Sequence, residues 1–426
     1  MADWEDSDPS SEEEQVDVDE TDEAWLESIL SEYHAKQVEV SCFEITPKRT
    51  DNESVLSTII GVKVKYTVEG CETVHDLSII VKKLPKDPFS RFVVTAAQFD
   101  LREIKFYKVL MPDFKEFQEK QLALQGKSEE TINLSVPLCY YAHYRPADGT
   151  DDSPIPPIST LVLDDLRASG FSNAKFREGL TLGQTKIALD AIARIHAHSL
   201  AMKVIDNEEP LYERYPFLFQ TAKATDSYQQ LVERGLPQLA DFLERTPGLE
   251  AVLEALLVLR PRTKHIISAL LAPEEPLALI THTDFWCSNL LFREGESGLE
   301  CCILDWQMVT YSRPTNDVAL LLVSSIPTEL RRKYTDDFLD TYWNSLVTTS
   351  NKLGVNIPKT LGYTREDLNK DYKRSQLLAL LLCIGSVDVA LGTPETEQRL
   401  IDVLKDFHED GVLIDESTES LGEGES

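Results

Sequence analysis

The pattern of apolar and polar side chains changes character near residue 165. Before that point short segments alternate between the two kinds, most regularly from Val62 to Tyr66. Alternation with a period of two is typical of a half-exposed antiparallel strand. One helix is predicted over 91–110, where apolar residues recur every three or four positions. We therefore expect a small sheet with one helix over about 36–165, with strands at 58–68, 77–84, 136–143 and 159–164.

From about residue 181 the apolar period becomes that of a helix. Ile187, Ala191 and Ile195 fall on one face of a predicted buried helix over 183–200. The fold class is therefore α+β, with a small antiparallel β-sheet N-lobe at 24–165 and a larger, mainly helical C-lobe at 166–415. Helices are also predicted near Ala24 and at 226–245, 249–271, 316–323, 327–353 and 365–392, and short strands at 277–281 and 299–305.

The formal charge of −31 is concentrated at the two ends of the chain. Residues 1–23 carry twelve Asp or Glu and no Lys or Arg, and 409–425 carry seven more acids without a base. We expect 1–23 and 416–426 to be disordered acidic tails. The charge of about −12 that remains argues against nucleic acid and against anionic membrane surfaces as partners, because both are bound through clustered Lys and Arg.

The sequence carries no sign of secretion. The N-terminus is acidic where a secretory leader is basic and then apolar, and the longest apolar run, 377–387, is too short for a bilayer. Seven cysteines without a CxxC pair favour neither a disulfide framework nor a zinc site. The cytoplasm is the expected location.

One group of polar residues, between His282 and Asp305, has the spacing of a catalytic site. An apolar strand runs into His282-x-Asp284, Asn289 follows five residues after the aspartate, and a second apolar strand delivers Asp305. Phosphoryl transfer needs a carboxylate near the attacking hydroxyl and hard oxygen ligands for Mg2+. We expect Asp284 to accept the proton of the substrate hydroxyl, Asn289 and Asp305 to hold Mg2+ beside the phosphates of ATP, and His282 to brace the loop.

The N-lobe should then supply a lysine for the ATP phosphates and a glutamate that orients it. Lys82 ends an apolar strand, and Glu103 lies centrally on the following helix. Lys83 is adjacent, but side chains alternate along a strand, so only one of the two lysines can face the cleft, and we choose Lys82. The strand from Leu161 to Leu166 is expected to link the lobes and to offer backbone groups to adenine, with Asp164 and Leu166 as the candidate contacts; an ordinary strand end is the alternative.

Six segments carry a family resemblance: LSIIVKKLP, FDLREIKFYKVLMP, LVLDDLRASGF, IARIHAHS, THTDFWCSNLLF and LDWQMVTYSRPTNDVALLL. In them the chain resembles the ecdysteroid-kinase-like group of insects and other invertebrates, relatives of choline kinases and aminoglycoside phosphotransferases. The resemblance covers roughly 24–415 and implies a protein-kinase-like two-lobed fold. It also implies phosphate transfer from ATP to small-molecule alcohols, with ecdysteroid hormones as the best-known substrates, and the roles given above for Lys82, Glu103, Asp284, Asn289 and Asp305.

The chain departs from the family pattern at three places. Thr283 stands where the family usually has glycine, and a threonine there is strained if the position requires a positive φ. Ser288 replaces a common asparagine. Segment 51–61 has no glycine before Gly61, and the serine-containing turn of the family suggests Ser57 as a phosphate contact, an ordinary loop serine being the alternative.

Two further residues have structural interpretations. Asp317 matches a family carboxylate that follows the metal strand, and helix capping is its expected role. His196 lies on a mostly apolar helix and is expected to be a packing histidine whose hydrogen bonds are satisfied.

The leading hypothesis is an ATP- and Mg2+-dependent kinase of a small lipophilic alcohol, an ecdysteroid-like steroid or a xenobiotic alcohol. The alternative is a catalytically weak pseudokinase that binds nucleotide or a lipophilic molecule. A protein kinase is disfavoured, because the short stretch between Asp305 and the helix near 318 leaves no room for an activation segment. No short motif identifies the acceptor or the oligomeric state.

Overall fold

The computed structural model describes residues 21–47, 56–127, 129–150, 153–206, 209–296 and 298–413. The disorder predicted for 1–20 and 416–426 lies outside these residues. Asp22 and Glu23 are ordered, since the Asp22 carboxylate accepts a hydrogen bond from Trp25 N–H at 2.8 Å and caps the first helix. These two residues belong to the first helix and its cap, although the sequence predicted disorder as far as residue 23.

The N-lobe contains the antiparallel sheet that alternation predicts, with one more long strand than was expected. Its strands are β1 (Val38–Pro47), β2 (Thr58–Val68), β3 (His75–Lys83), β4 (Cys139–Arg145) and β7 (Ile158–Asp164), with a small separate hairpin of β5 (Asp148–Thr150) and β6 (Ser153–Ile155).

These strands form a five-stranded sheet in the order β1-β2-β3-β7-β4. Alternation along β3 sends Ile79 and Val81 into one core and Lys82 to the opposite face. Helix α1 (Glu23–His34) covers the first face, where Leu26 and Leu30 are fully buried. Each face of the sheet thus has its own helical layer.

The helical layer on the Lys82 side of the sheet differs from the prediction of one helix over 91–110. The chain forms α2 (Pro88–Ala97) and α3 (Phe99–Lys105), which are separated at Gln98 because that residue adopts φ 58°. A π-helical turn (Phe106–Leu110) then leads into α4 (Met111–Leu124). A residue in the left-handed conformation ends a helix, so periodicity alone could not reveal the break.

The C-lobe is mainly helical, as predicted. Helix α5 runs through its centre, and Ile192 and Ile195 are fully buried there. The sequence failed to indicate the last helix, although its apolar residues have helical spacing. The helices are α5 (Leu182–Ile205), α6 (Leu211–Arg214), α7 (Thr221–Glu244), α8 (Glu250–Leu259), α9 (Thr263–Leu271), α10 (Thr315–Ser324), α11 (Thr328–Lys352), α12 (Ile357–Leu361), α13 (Arg365–Gly385), α14 (Val387–Ala390) and α15 (Pro394–Glu409).

Two predicted C-lobe helices are broken. The predicted helix 249–271 is interrupted by a 3-10 turn (Arg260–Arg262) that contains a proline, and 365–392 is interrupted at Ser386. Within the described residues, no helix combines the length and the apolar character that crossing a bilayer requires.

Short C-lobe strands hold the loops that matter for chemistry. Strand β9 (Leu279–Thr281) pairs with β12 (Thr310–Ser312), while β10 (Leu290–Gly295) pairs with both β11 (Gly298–Ile303) and β8 (Ser172–Asn173). The sequence predicted β9 and β11, but not β10, which begins immediately after Asn289.

Candidate active site

The loop that carries Asp284 leaves the end of β9, and His282 anchors it. The His282 ring is fully buried, with Nε2 at 2.8 Å from Leu304 O. Its Nδ1 accepts a hydrogen bond from Asp284 N–H at 3.2 Å. Both contacts fit a neutral ring with the proton on Nε2, and burial lowers the pKa of His282. The ring therefore occupies the bracing position that the sequence suggested.

The residue between them, Thr283, has φ 67°. This is the left-handed region that glycine adopts freely and that a β-branched residue rarely enters. The condition under which threonine is strained is therefore met. The N–H groups of His282 and Thr283 both donate to the carboxylate of Asp317 at 2.7 Å, which holds the loop in this conformation.

The capping role expected for Asp317 is wrong. Helix α10 begins after Pro314 without a side-chain cap, and Asp317 lies inside its first turn. The carboxylate is fully buried and reaches across to the loop of His282 and Thr283, and it also accepts a hydrogen bond from His196 Nε2 at 3.1 Å. His196 Nδ1 lies 2.8 Å from the hydroxyl of Tyr342, so both ring nitrogens are satisfied and the packing interpretation of His196 agrees with the geometry.

Asp284 is linked directly to Asn289. The Asn289 amide donates to the Asp284 main-chain oxygen at 2.9 Å and to its carboxylate Oδ2 at 2.8 Å. Burial, with a smaller contribution from the neighbouring charge of Asp305, raises the pKa of Asp284 to about 7. A carboxyl group with such a pKa can exchange a proton near neutral pH, which a general base requires.

Lys82, Glu103 and Asp305 form one ionic cluster between the lobes. Lys82 Nζ lies 2.7 Å from Glu103 Oε2 and 2.7 Å from Asp305 Oδ1. Burial alone would lower the pKa of Lys82, but the attraction of the two carboxylates outweighs it and the net effect raises that pKa. Burial raises the pKa of Glu103 against the attraction of Lys82. The prediction that Lys82 faces the cleft agrees with the structure, whereas Lys83 lies over the Trp25 ring on the α1 side.

Asp305 is held by its neighbours in the chain. It follows β11 with φ 61°, and the 3-10 turn after it begins at Trp306. The Trp306 ring stacks on Phe106 of the N-lobe with 4.0 Å between ring centroids. Leu304 N–H donates to Asn289 O at 2.8 Å, so the two segments that carry the predicted metal ligands are directly joined.

The other predicted nucleotide contacts have mixed outcomes. Ser57 and Lys82 line the same small cavity beneath the sheet, so a phosphate contact at Ser57 stays a prediction. Asp164 N–H donates to Leu138 O at 2.9 Å, and Leu166 N–H donates to Asp164 O at 3.1 Å. Adenine could bind these two N–H groups only if it displaced those bonds.

A cavity of about 60 Å3 opens beside Asp284 and Trp286 in the C-lobe. No short motif marked it, because its walls come from helices that lie far apart in the sequence. The indole Nε1 of Trp286 is buried and has no hydrogen-bond partner among the described residues. It lies close enough to lower the pKa of Asp284, but the two groups do not meet hydrogen-bond geometry.

The donor set is suited to Mg2+. Asn289 and Asp305 offer amide and carboxylate oxygens, the hard ligands that this ion prefers. In the described part of the chain, no group of three or more His, Cys, Asp or Glu side chains could hold a metal ion. Two protein ligands match the usual Mg2+ site of kinases, where phosphates and water complete the coordination.

Comparison with known proteins gives distant relatives. An uncharacterized oxidoreductase, dhs-27 of Caenorhabditis elegans, is 21% identical over 342 residues, which cover 76% of this chain and 37% of that protein. The chain thus spans little more than a third of this curated relative's length.

Two solved structures have a similar arrangement. The Cryptosporidium parvum choline kinase is 11% identical, with 87% of this chain and 91% of that chain covered and a TM-score of 0.44. The Plasmodium vivax ethanolamine kinase is 12% identical, with 89% and 83% covered and a TM-score of 0.40. Neither likeness is strong enough to carry an inference about this chain.

A family model also matches most of the chain. Residues 51–355, more than two thirds of the sequence, match the ecdysteroid kinase-like family, and that span contains Lys82, Glu103, Asp284, Asn289 and Asp305. The chain belongs to the ecdysteroid kinase-like family.

Proposed function

We propose that this protein transfers the γ-phosphate of ATP to a hydroxyl group of a small molecule, with Mg2+ as cofactor. The observation that carries the proposal is the joined arrangement of the Lys82–Glu103–Asp305 cluster, Asn289 and Asp284, with a cavity beside Asp284. It supplies a phosphate-binding cation, oxygen ligands for the metal and a carboxylate for the acceptor in one cleft.

Each residue has a defined task in the proposed reaction. Lys82 binds the phosphates and is oriented by Glu103, while Asn289 and Asp305 would hold Mg2+, which when bound neutralises phosphate charge. The acceptor oxygen forms a bond to the γ-phosphorus, and the bond from that phosphorus to the β–γ bridging oxygen breaks, so that ADP leaves. Asp284 orients the acceptor and takes the hydroxyl proton.

The acceptor that we propose is an apolar alcohol, either an ecdysteroid-like steroid or a xenobiotic alcohol. The family description and the aliphatic walls of the cavity beside Asp284 support this choice. The cavity of about 60 Å3 is far smaller than the roughly 300–1,000 Å3 of sites that enclose drug-sized ligands. A steroid would therefore insert only its hydroxyl-bearing end or would widen the cavity.

Phosphate transfer can be tested directly. Purified protein is incubated with radiolabelled ATP, Mg2+ and a panel of hydroxylated steroids and plant alcohols, beside an Asp284→Asn variant of equal thermal stability. We expect labelled product with the wild-type protein alone. Product formation that is equal in both proteins, or absent from both, would count against the proposal for these acceptors.

A pseudokinase is the second candidate, and Thr283 is the observation that favours it. A strained threonine directly before the proposed base can displace the Asp284 carboxylate from its productive position. Thermal stabilisation by Mg-ATP that is lost in Lys82→Ala, without turnover of any acceptor, would support this alternative.

We also propose a cytoplasmic location, because all seven cysteines are unpaired.

A further inference from the structure

The cavity beside Asp284 is lined mainly by apolar side chains and small hydroxyl residues, and two charged residues also line it. Leu320 and Val323 of α10 and Leu400 and Val403 of α15 supply aliphatic surface. One polar group is Asp284 itself, with the unpartnered indole N–H of Trp286 near it. The other is Arg399 of α15, which also lines the cavity and whose guanidinium group donates to the main-chain oxygen of Ser324, another lining residue.

Arg399 is buried without a counter-charge. Only 7% of the residue is exposed, and its Nη1 and Nη2 donate to the main-chain oxygens of Ser324 at 3.3 Å and Arg177 at 2.8 Å. Its guanidinium lies 5.3 Å from the centre of the Phe176 ring. Among the residues that the structure describes, no Asp or Glu side chain pairs with it.

Other buried arginines show how unusual this is. Arg313 and Arg331 are 6% and 7% exposed, and each pairs with a carboxylate, Glu274 and Asp406 respectively. Arg102 also has no carboxylate partner among the described residues, but it does not line this cavity. Arg399 is therefore the buried arginine whose missing counter-charge a ligand in the cavity could supply.

Removing a guanidinium from water costs free energy that hydrogen bonds to neutral carbonyls offset only in part. A carboxylate offsets this desolvation cost best, since its two oxygens match the fork of guanidinium donors and carry the opposite charge. A hydroxyl group of the same ligand would find its partners at Asp284, which can accept a hydrogen bond, and at Trp286 Nε1, which can donate one.

This inference rests on the proposed phosphotransfer and narrows its acceptor: we propose that the apolar alcohol also carries a carboxylate, so that it is a hydroxylated carboxylic acid with an apolar body. Its carboxylate pairs with Arg399, its body lies against the aliphatic walls, and its hydroxyl lies between Asp284 and Trp286. Arg399 is then a specificity-determining residue that selects hydroxy acids over neutral alcohols of the same shape.

The first test needs no mutation. Binding of ω-hydroxy carboxylic acids of graded chain length is measured by isothermal titration calorimetry without nucleotide, each acid beside its methyl ester. We expect the acid of matching length to bind on the order of tenfold tighter than its ester, a difference of about 1.4 kcal/mol. Equal binding of acids and esters at every length, or tighter binding of the esters, would overturn the proposal.

The second test assigns the preference to Arg399. We expect Arg399→Gln to remove the preference for the acid and Arg399→Lys to retain part of it, because a lysine keeps the charge but not the paired donors. Arg177→Gln is the matched control, since that neighbouring arginine is exposed and pairs with Glu395. Thermal melting reveals whether Arg399→Gln folds. If it does not, the test rests on the binding of each acid compared with its ester, measured for Arg399→Lys and for the wild-type protein.

These results separate the two proposals. A preference for acids without phosphorylated product under Mg-ATP would refute phosphate transfer and keep the binding site. Phosphorylated alcohols without any preference for acids would refute the role of Arg399 and keep the transferase function.

Discussion

Replacing Thr283 tests whether the catalytic loop stores backbone strain. The left-handed conformation costs an L-residue roughly 1–2 kcal/mol, and Thr283 adopts it at φ 67°. Thr283→Gly removes that cost but adds roughly 0.5–1 kcal/mol of unfolded-state entropy. It also deletes the contact of the Thr283 hydroxyl with Thr281 Oγ1, 3.0 Å away, worth about 1 kcal/mol. With the lost burial of the methyl group, we expect a net destabilisation of about 1 kcal/mol.

Thr283→Ala separates the backbone strain from the loss of the hydroxyl contact and of the buried methyl group. Alanine loses the same hydroxyl and methyl groups, but it keeps the β-carbon that the positive φ disfavours. We therefore expect Thr283→Ala to lose about 2 kcal/mol, which leaves it about 1 kcal/mol less stable than Thr283→Gly.

Urea unfolding, followed by tryptophan fluorescence and compared at equal slope, measures this order. Thr281 is the matched control, because it is equally buried but lies in strand β9 without a positive φ. There the order should reverse, with glycine less stable than alanine by roughly 0.5–1 kcal/mol. Alanine as stable as glycine at position 283 would refute the assignment of strain to this residue.

Three further variants test the surrounding groups. Asp317→Asn places an amide where two main-chain N–H groups now find carboxylate oxygens. We expect urea unfolding to show a loss of about 2–4 kcal/mol in the free energy of unfolding. The control Asp340→Asn, at an exposed ion pair, should lose less than about 1 kcal/mol. Lys82→Met should abolish the thermal shift caused by Mg-ATP while Lys83→Met keeps it; equal shifts would contradict the assigned cleft lysine. Burial lowers the pKa of His198 to about 4 in the folded protein, so the unfolded chain binds the proton more readily. The free energy of unfolding should therefore fall as the pH drops from about 6.5 towards 4, by up to roughly 3 kcal/mol. His198→Gln should flatten that loss, and an unchanged slope between about pH 7 and pH 5 would refute it.

The part of the site that sequence could predict is the part that local spacing encodes. His282, Asp284 and Asn289 lie on one loop, where their separation along the chain nearly fixes their separation in space. Alternation along β3 predicted that only one of Lys82 and Lys83 faces the cleft, and the structure places Lys82 beside Glu103 and Asp305. The two-lobed α+β outline followed from the same change of period.

What sequence could not predict depends on contacts between distant segments. Asp317 looked like a helix cap from its position before an apolar run, and nothing local shows that its carboxylate accepts hydrogen bonds from the loop that follows β9. Arg399 lies in a helix that periodicity could have indicated, but nothing local shows that its guanidinium lines a cavity with Asp284. The break at Gln98 escaped for a different reason, since a single left-handed residue leaves the apolar spacing almost intact.

Strain and restraint coincide in this molecule, and that coincidence supports function independently of family membership. Thr283, which precedes the proposed base, and Asp305, the proposed metal ligand, both have positive φ. Such conformations persist only where the surroundings hold them, and they cluster at functional sites. Asp317 holds the first through two main-chain hydrogen bonds, and Lys82 holds the second through an ion pair. The positive φ of both segments, held by these restraints, favours a cleft of fixed geometry, whereas the threonine side chain at position 283 is what favours the pseudokinase alternative.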